Sequence, residues 1–150
     1  MAAGDLLPTS GETYAAELRA YLMADTEDFR ITNVAGLGGR KVKARDAEFG
    51  AADGSEAATD YAAAWPLILD LACAMGSASA AELALVDLAD AWGASDVDLE
   101  LHLWVPGREH LKVTGRPRDL DPVRVRPMAS GVIRAQATFL VLNTLEETVA

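Results

Sequence analysis

Three residues of this chain have the types and the spacing to bind a metal ion: Asp98, Glu100 and His102. In a β-strand, residues two positions apart point to the same face, so these two carboxylates and the imidazole would share one side. Such a set can ligate a divalent cation. Arg116 and Arg118 follow in the next strand, however, and arginine competes for carboxylates through charge-assisted hydrogen bonds. We therefore expect an exposed, charge-paired strand face, with no metal and no cofactor.

Few other residues suggest chemistry. Cys73 is the only cysteine, and it falls on the apolar side of a predicted strand, where a buried and unreactive thiol is expected. The glycine cluster Gly36–Gly39 lacks the spacing of a phosphate-binding loop. No G-x-S-x-G motif marks a serine nucleophile, and His110 is the only other histidine. We expect no catalytic residues and no enzyme activity.

The element that the sequence defines best is a helix from Ser79 to Trp92. Ser79 and Glu82 have the spacing of a capping box, and Gly93 is a typical C-terminal stop. One side of the helix is apolar and is predicted to face the core. It comprises Ala84, Leu85, Leu88, Ala91 and Trp92.

After this helix the period of the apolar residues changes from 3.6 to 2, which predicts a β-hairpin. Its first strand spans 97–105, its turn is Pro106–Arg108, and apolar residues resume at Leu111. Pairing Val105 with Leu111 keeps the apolar residues on one face. The predicted pairs on the polar face are Trp104–Lys112, His102–Thr114, Glu100–Arg116 and Asp98–Arg118.

The remaining segments predict a mainly β (α+β) fold, an antiparallel β-sandwich packed by one α-helix, with a long hairpin or loop arm. Alternating apolar residues indicate strands at 66–75 and 131–142, and segment 14–23 favours a hairpin with 29–34. We expect a single domain. Its predicted parts are an N-terminal arm with the first strand at 1–28, the sandwich at 29–142 and a short acidic tail at 143–150.

The net charge of −10 is distributed unevenly. Residues 46–107 contain twelve acids and no lysine or arginine, whereas 108–134 contain seven bases and three acids. This balance argues against a protein that grips a nucleic-acid backbone, which requires clustered basic residues. It favours one acidic and one basic surface, which could neutralise each other between neighbouring copies. No apolar run approaches the roughly 20 residues of a membrane span, so we expect a protein made in the cytoplasm with no membrane association.

The order of motifs along residues 29–142 resembles the distal tail (Dit-like) proteins of long-tailed, non-contractile phages (siphophages), particularly those of actinobacterial hosts. The matching segments are Phe29–Gly39, Arg45–Glu48, Asp53–Ser55, Asp60–Tyr61, the helix end Ala89–Trp92, Asp98–Pro106, Gly115–Arg118 and Gly131–Arg134. Trp65 departs from the pattern, because the family often has an arginine there. Longer members continue into a second domain, and its host-binding properties are not carried over to this chain.

The resemblance implies a structural protein of the virion, whose N-terminal β-sandwich domain forms the ring of the tail tip. The implied partners are other copies in a homo-oligomeric ring, with a hexamer expected, the tail tube protein and the tail-tip hub protein. DNA would only pass through the lumen. Two alternatives stay open: a tail-tube or tail-terminator ring protein, and a monomeric ligand-binding β-domain.

We predict the oligomer interface from exposure and charge. Leu83 and Val86 fall on the acidic, outward side of the predicted helix, and Trp104 on the polar face of the predicted hairpin. The charge pattern adds residues from the acidic and the basic stretches. The full predicted set is Leu83, Val86, Asp98, Glu100, Trp104, Arg116, Arg118, Arg124 and Arg126.

Overall fold

A computed structural model of the chain describes residues 7, 13–37, 41–43, 61–126, 130–142 and 147–148. Within these ranges there are ten β-strands and one α-helix. The strands are β1 Ala15–Leu18, β2 Tyr21–Met23, β3 Arg30–Ala35, β4 Lys41–Lys43, β5 Tyr61–Ala63, β6 Trp65–Ala74, β7 Leu99–Val105, β8 Glu109–Arg124, β9 Val132–Val141 and β10 Glu147–Thr148; the helix is α1 Ala78–Ala91. The matching segments Arg45–Glu48 and Asp53–Ser55 lie outside the described residues.

Eight of these strands form one antiparallel sheet in the order β2-β1-β7-β8-β9-β6-β3, with β10 paired to β8. The strand β8 is 16 residues long. Its first part pairs with β7 and its second part pairs with β9. β1 also contacts β3, although the two are far apart in the strand order. The sheet therefore folds over on itself, and β8 belongs to both halves. β4 and β5 form a separate two-stranded sheet.

One apolar core fills the space between the two halves of the sheet and α1. Strict alternation places every second residue of β6 and β9 in this core, because successive side chains of a strand point to opposite faces. These residues are Leu67, Leu69, Leu71 and Cys73 in β6, and Ile133, Ala135, Ala137, Phe139 and Val141 in β9. The predicted class, a mainly antiparallel β fold packed by one helix, is confirmed.

The N-cap of helix α1 lies two residues before the predicted cap at Ser79. Ser77 is its N-cap and accepts a hydrogen bond from the amide of Ala80, so the predicted capping box at Ser79 does not form. Glu82 instead reaches across to β8. The predicted buried side is confirmed. Trp92, just past the last turn, donates from Nε1 to the carbonyl of Thr138 at 3.0 Å.

The C-terminal end of α1 is held by an arginine from a distant part of the chain. Arg19 and Ala20 form the two-residue turn between β1 and β2, both with positive φ. From this turn the Arg19 guanidinium donates to the carbonyls of Asp90, Ala91 and Gly93 at 3.4, 3.2 and 2.9 Å, and to that of Ala94 at 3.3 Å. The last turn of the helix contains no basic residue of its own. Arg19 therefore satisfies carbonyls at the negative end of the helix dipole.

The location of this turn corrects the predicted hairpin of 14–23 with 29–34. β1 and β2 pair with each other inside the first segment, and β3 pairs with β6. The tight turn at Arg19 and Ala20 requires left-handed backbone at two non-glycine residues. Such a turn is uncommon without glycine or asparagine, so the sequence pattern did not indicate it.

The hairpin of β7 and β8 is paired two residues away from the predicted register. Val105 lies opposite Glu109 rather than Leu111, because Pro106–Arg108 is a tight three-residue turn with Gly107 at φ +87° and the alternation resumes immediately after it. A shift of two keeps each residue on its predicted face but changes every partner. Asp98 consequently meets Arg116 and not the predicted Arg118.

Gly115 is the residue at which β8 moves from one half of the sheet to the other. It lies opposite Leu99 of β7 and Val141 of β9. A Cβ atom at this position would overlap with the carbonyl oxygen of Leu140. Backbone atoms cannot rotate away as a flexible side chain can, so glycine is required here. The pairing with β9 then shifts register between Pro117 and Leu120.

Replacement of Gly115 by alanine is expected to destabilise the fold by about 1–3 kcal/mol or more, since the added methyl group has no space. Chemical denaturation followed by circular dichroism would measure the change. Gly93→Ala is the matched control, because a Cβ there meets its nearest atom at 3.4 Å, an ordinary contact. Equal stability of the two variants would contradict the role of Gly115.

Truncation of Trp92 to alanine is expected to cost about 3–5 kcal/mol, as for other buried large aromatics. The ring is buried and packs edge-on against Phe139 with a centroid distance of 6.2 Å. Trp92→Phe keeps an aromatic ring but removes the donor to Thr138, and should cost about 1–2 kcal/mol. A melting temperature of Trp92→Ala within about a degree of the native value would exclude this packing role.

Candidate assembly surfaces

The structure places His102 differently from its predicted position on an exposed face. The residue is 4% exposed and lies opposite Lys112, not Thr114. Its Nδ1 is 2.8 Å from Nε2 of His110, and its Nε2 is 3.3 Å from Oε2 of Glu100. The prediction of an exposed histidine was wrong because the cover comes from residues far away in sequence.

Part of that cover comes from β1, which pairs alongside β7. Glu17 lies opposite His102 on the same face of the sheet and is itself 3% exposed. A small apolar cluster on this face consists of Leu7, Ala15 and Ala24, with Leu22 and Trp104 packed against it. Trp104, which was expected to be exposed, is therefore half-buried by its own chain.

The contact between His102 and His110 limits the protonation of the pair. Only one proton fits between two nitrogen atoms 2.8 Å apart, because each N–H needs an acceptor. The contact is compatible with two neutral rings or with one charged ring, but not with two imidazolium rings. Within the described ranges, no three His, Cys, Asp or Glu side chains form a group that could hold a metal ion.

Cys73 and Tyr21 are two further titratable groups in apolar surroundings. Cys73 is buried as predicted, and burial raises the pKa of its thiol. Burial also raises the pKa of Tyr21 to about 12, with a smaller contribution from the charge of Asp28. At neutral pH both groups stay protonated, so neither is an activated nucleophile or base.

Two of the predicted interface arginines have ion-pair partners within the chain. Arg116 donates from Nε to Oδ1 of Asp98 at 3.0 Å. Arg124 donates two hydrogen bonds to Glu82, at 2.5 and 2.9 Å, and thereby joins the end of β8 to α1. These bonds lower the pKa of the Glu82 carboxyl. The two arginines are therefore committed to intramolecular pairs.

The other predicted interface residues differ in exposure. Glu100 is engaged by His102 and by Lys112, whose Nζ lies 3.7 Å from Oε1 of Glu100. Leu83 and Val86, in contrast, are 69% and 55% exposed on the outward side of α1. Arg118 and Arg126 are also exposed, and neither forms an ion pair within the described part of the chain.

A groove on the outer face of β3, β6, β9 and β8 was not predicted from the sequence. One row of cross-strand neighbours runs Arg30, Ala72, Arg134 and Val123, one residue from each strand. The groove has a volume of 560 Å³. The alternation of apolar residues in β6 and β9 predicts that Ala72 and Arg134 point outward. It does not predict the order in which the four strands pair, and that order brings these residues together.

A second row of the groove lies next to the first and is acidic. Asp70 and Asp121 both lie opposite Gln136 in neighbouring strands. Asp70 accepts hydrogen bonds of 3.4 Å from Asn33 and from Gln136. The groove thus has a basic row and an acidic row side by side, which gives it a defined electrostatic polarity.

Comparison of the structure with solved structures gives a match to the crystal structure of the Dit protein (gp 19.1) of SPP1, described as a paradigm of the hub adsorption apparatus in phages that infect Gram-positive bacteria. The TM-score is 0.68 and the sequence identity 14%, over 89% of this chain. The chain has the Dit fold. The fold implied by the sequence resemblance is thereby confirmed.

The match covers 51% of the SPP1 chain, so this chain spans about half the length of the SPP1 protein. No protein-family model and no curated protein matches the sequence. None of the described helices is long and apolar enough to span a membrane.

The stability of the protein is expected to fall as the pH drops below about 6.5, the ordinary pKa of histidine. Burial lowers the pKa of His110 in the folded state, and the neighbouring His102 lowers it further, while Glu17 partly offsets this. The unfolded chain therefore binds this proton more readily than the folded protein, so acid favours unfolding and the lost stability returns above pH 6.5. Urea midpoints measured at several pH values would check this.

The chain has only two histidines, so a single substitution at His110 tests its contribution to the pH dependence. His110→Gln keeps a hydrogen-bonding group but removes the titration, so its stability should depend less on pH between about 5.5 and 7. A dependence as steep as that of the native chain would show that His110 is not responsible.

Proposed function

We propose that this chain is a structural protein of a phage tail, which forms the ring-shaped connector between the tail tube and the tip hub. The observation that carries the proposal is the Dit fold, which extends over 89% of the chain. The protein is made in the host cytoplasm and resides at the tail tip of the virion. Its partners are further copies of itself, the tail tube protein and the hub protein.

The surface of the chain supports a role in assembly. Leu83 and Val86 expose large apolar side chains, and Arg118 and Arg126 form no ion pair within the described residues. Exposed apolar residues and unpaired charges are both suited to a protein interface. Of the sequence-predicted interface residues, we retain these four, because the others are paired or half-buried in their own chain.

The net charge of −10 supports the passage of DNA through the ring. A strongly acidic ring repels the phosphate backbone, so DNA slides through the lumen without being held.

Sedimentation of the purified protein at high concentration and low salt is expected to show one discrete ring, with six copies as the expected number. Electron microscopy of the same sample should show annular particles. Added salt should shift the distribution to smaller species, because it screens charge pairs that are exposed to water. A strictly monomeric protein under all these conditions would contradict the ring and favour a monomeric ligand-binding domain.

A further inference from the structure

The outward face of α1 and the outer groove of the sheet point away from the layer of β6 and β9 in opposite directions. α1 packs on the inner side of this layer, where Trp92 contacts Phe139. Arg134 and Val123, in contrast, are partners on the outer side. One protomer therefore has two separate surfaces on opposite sides of the same layer.

The outward face of α1 is a narrow stripe of exposed apolar and acidic residues. At 100° per residue, Leu83, Val86, Asp87 and Asp90 fall within an arc of about 100°. All four are exposed, and neither aspartate forms an ion pair within the described residues. The nearby Arg19 gives its donors to backbone carbonyls at the helix end. The stripe thus has two aliphatic side chains and two unpaired negative charges.

The basic row of the groove has complementary chemistry. Ala72 lies between Arg30 and Arg134, so its small side chain leaves a depression between two guanidinium groups. Val123, which is 60% exposed, extends the row on β8. Neither guanidinium group forms a hydrogen bond or an ion pair within the described residues. The row therefore has apolar contact area and two unpaired positive charges.

We propose that the outward stripe of α1 in one copy docks into the outer groove of the next copy. Leu83 and Val86 contact Ala72 and Val123, while the two helix aspartates pair with the two arginines of the basic row. This inference rests on the proposed ring and identifies two faces that form it; Arg118 and Arg126, also retained as interface residues, belong to neither face.

The acidic row of the groove fixes the orientation of this contact. Asp70 and Asp121 would repel the acids of the incoming helix, so only placement over the basic row is favourable. Because the two faces differ and point in opposite directions, the contact is heterologous. Repetition of such a contact produces a ring when the rotation between copies closes.

Two double variants test the contact, one for each face. Leu83→Gln with Val86→Gln removes the aliphatic groups of the helix stripe while keeping a good helix former. Arg30→Thr with Arg134→Thr removes the charges of the groove with a residue that suits strands. Each variant alone should assemble at least tenfold more weakly than the native chain in sedimentation experiments.

A mixture of the two variants distinguishes this contact from any other. One variant keeps an intact groove and the other an intact helix stripe, so the mixture should form a 1:1 heterodimer that cannot extend to a ring. Val97→Gln, which removes an exposed valine outside both faces, and Arg30→Lys with Arg134→Lys, which keep the charges, should assemble as the native chain does. Circular dichroism of every variant checks that it is folded.

The outcomes separate this inference from the proposed function. If the native chain forms rings and both double variants do so equally well, these faces are not the contact, although the ring remains. If both variants fail to assemble but their mixture forms no heterodimer, the pairing of these two faces is wrong. If the native chain itself stays monomeric, both the ring and this contact are contradicted.

Discussion

A 16-residue strand with two sets of partners sets the architecture of this protein. To pair first with β7 and then with β9, β8 has to pass close to the backbone of β9 at Gly115, where no side chain fits. That close approach brings the two halves of the sheet around one core. The position of α1, the inner rows of β6 and β9, and the groove on their outer face all depend on this arrangement.

The helix is tied to the sheet at both ends by side chains from elsewhere in the chain. Arg19 holds carbonyls at its C-terminal end, and Arg124 holds Glu82 in its first turns. Arginine suits both positions because its planar guanidinium offers several donors in a fixed geometry. The outward stripe of α1 is consequently presented at a defined angle to the sheet, as a docking surface requires.

Local patterns in the sequence were sufficient for the helix and the long strands. The apolar side of α1 and the alternation in β6 and β9 follow directly from helix and strand periodicity. The partners across strands were not predictable in the same way, because they depend on turn lengths. The compact turn at Gly107 moved Asp98 from Arg118 to Arg116. The exposure of His102 was mispredicted for a different reason, since β1, which is distant in sequence, pairs alongside β7 and places Glu17 opposite His102.

The sharing of β8 between the two halves also has a mechanical consequence. Two sheets joined only by loops can slide or hinge at those loops. Here one continuous strand joins the halves, since residues 109–115 pair with β7 and residues 115–124 with β9, and these bonds run across the strand direction. A pull along β8 therefore loads many backbone hydrogen bonds in shear at the same time, whereas a hinge would release them one by one. The two halves are therefore joined more stiffly than a loop would join them.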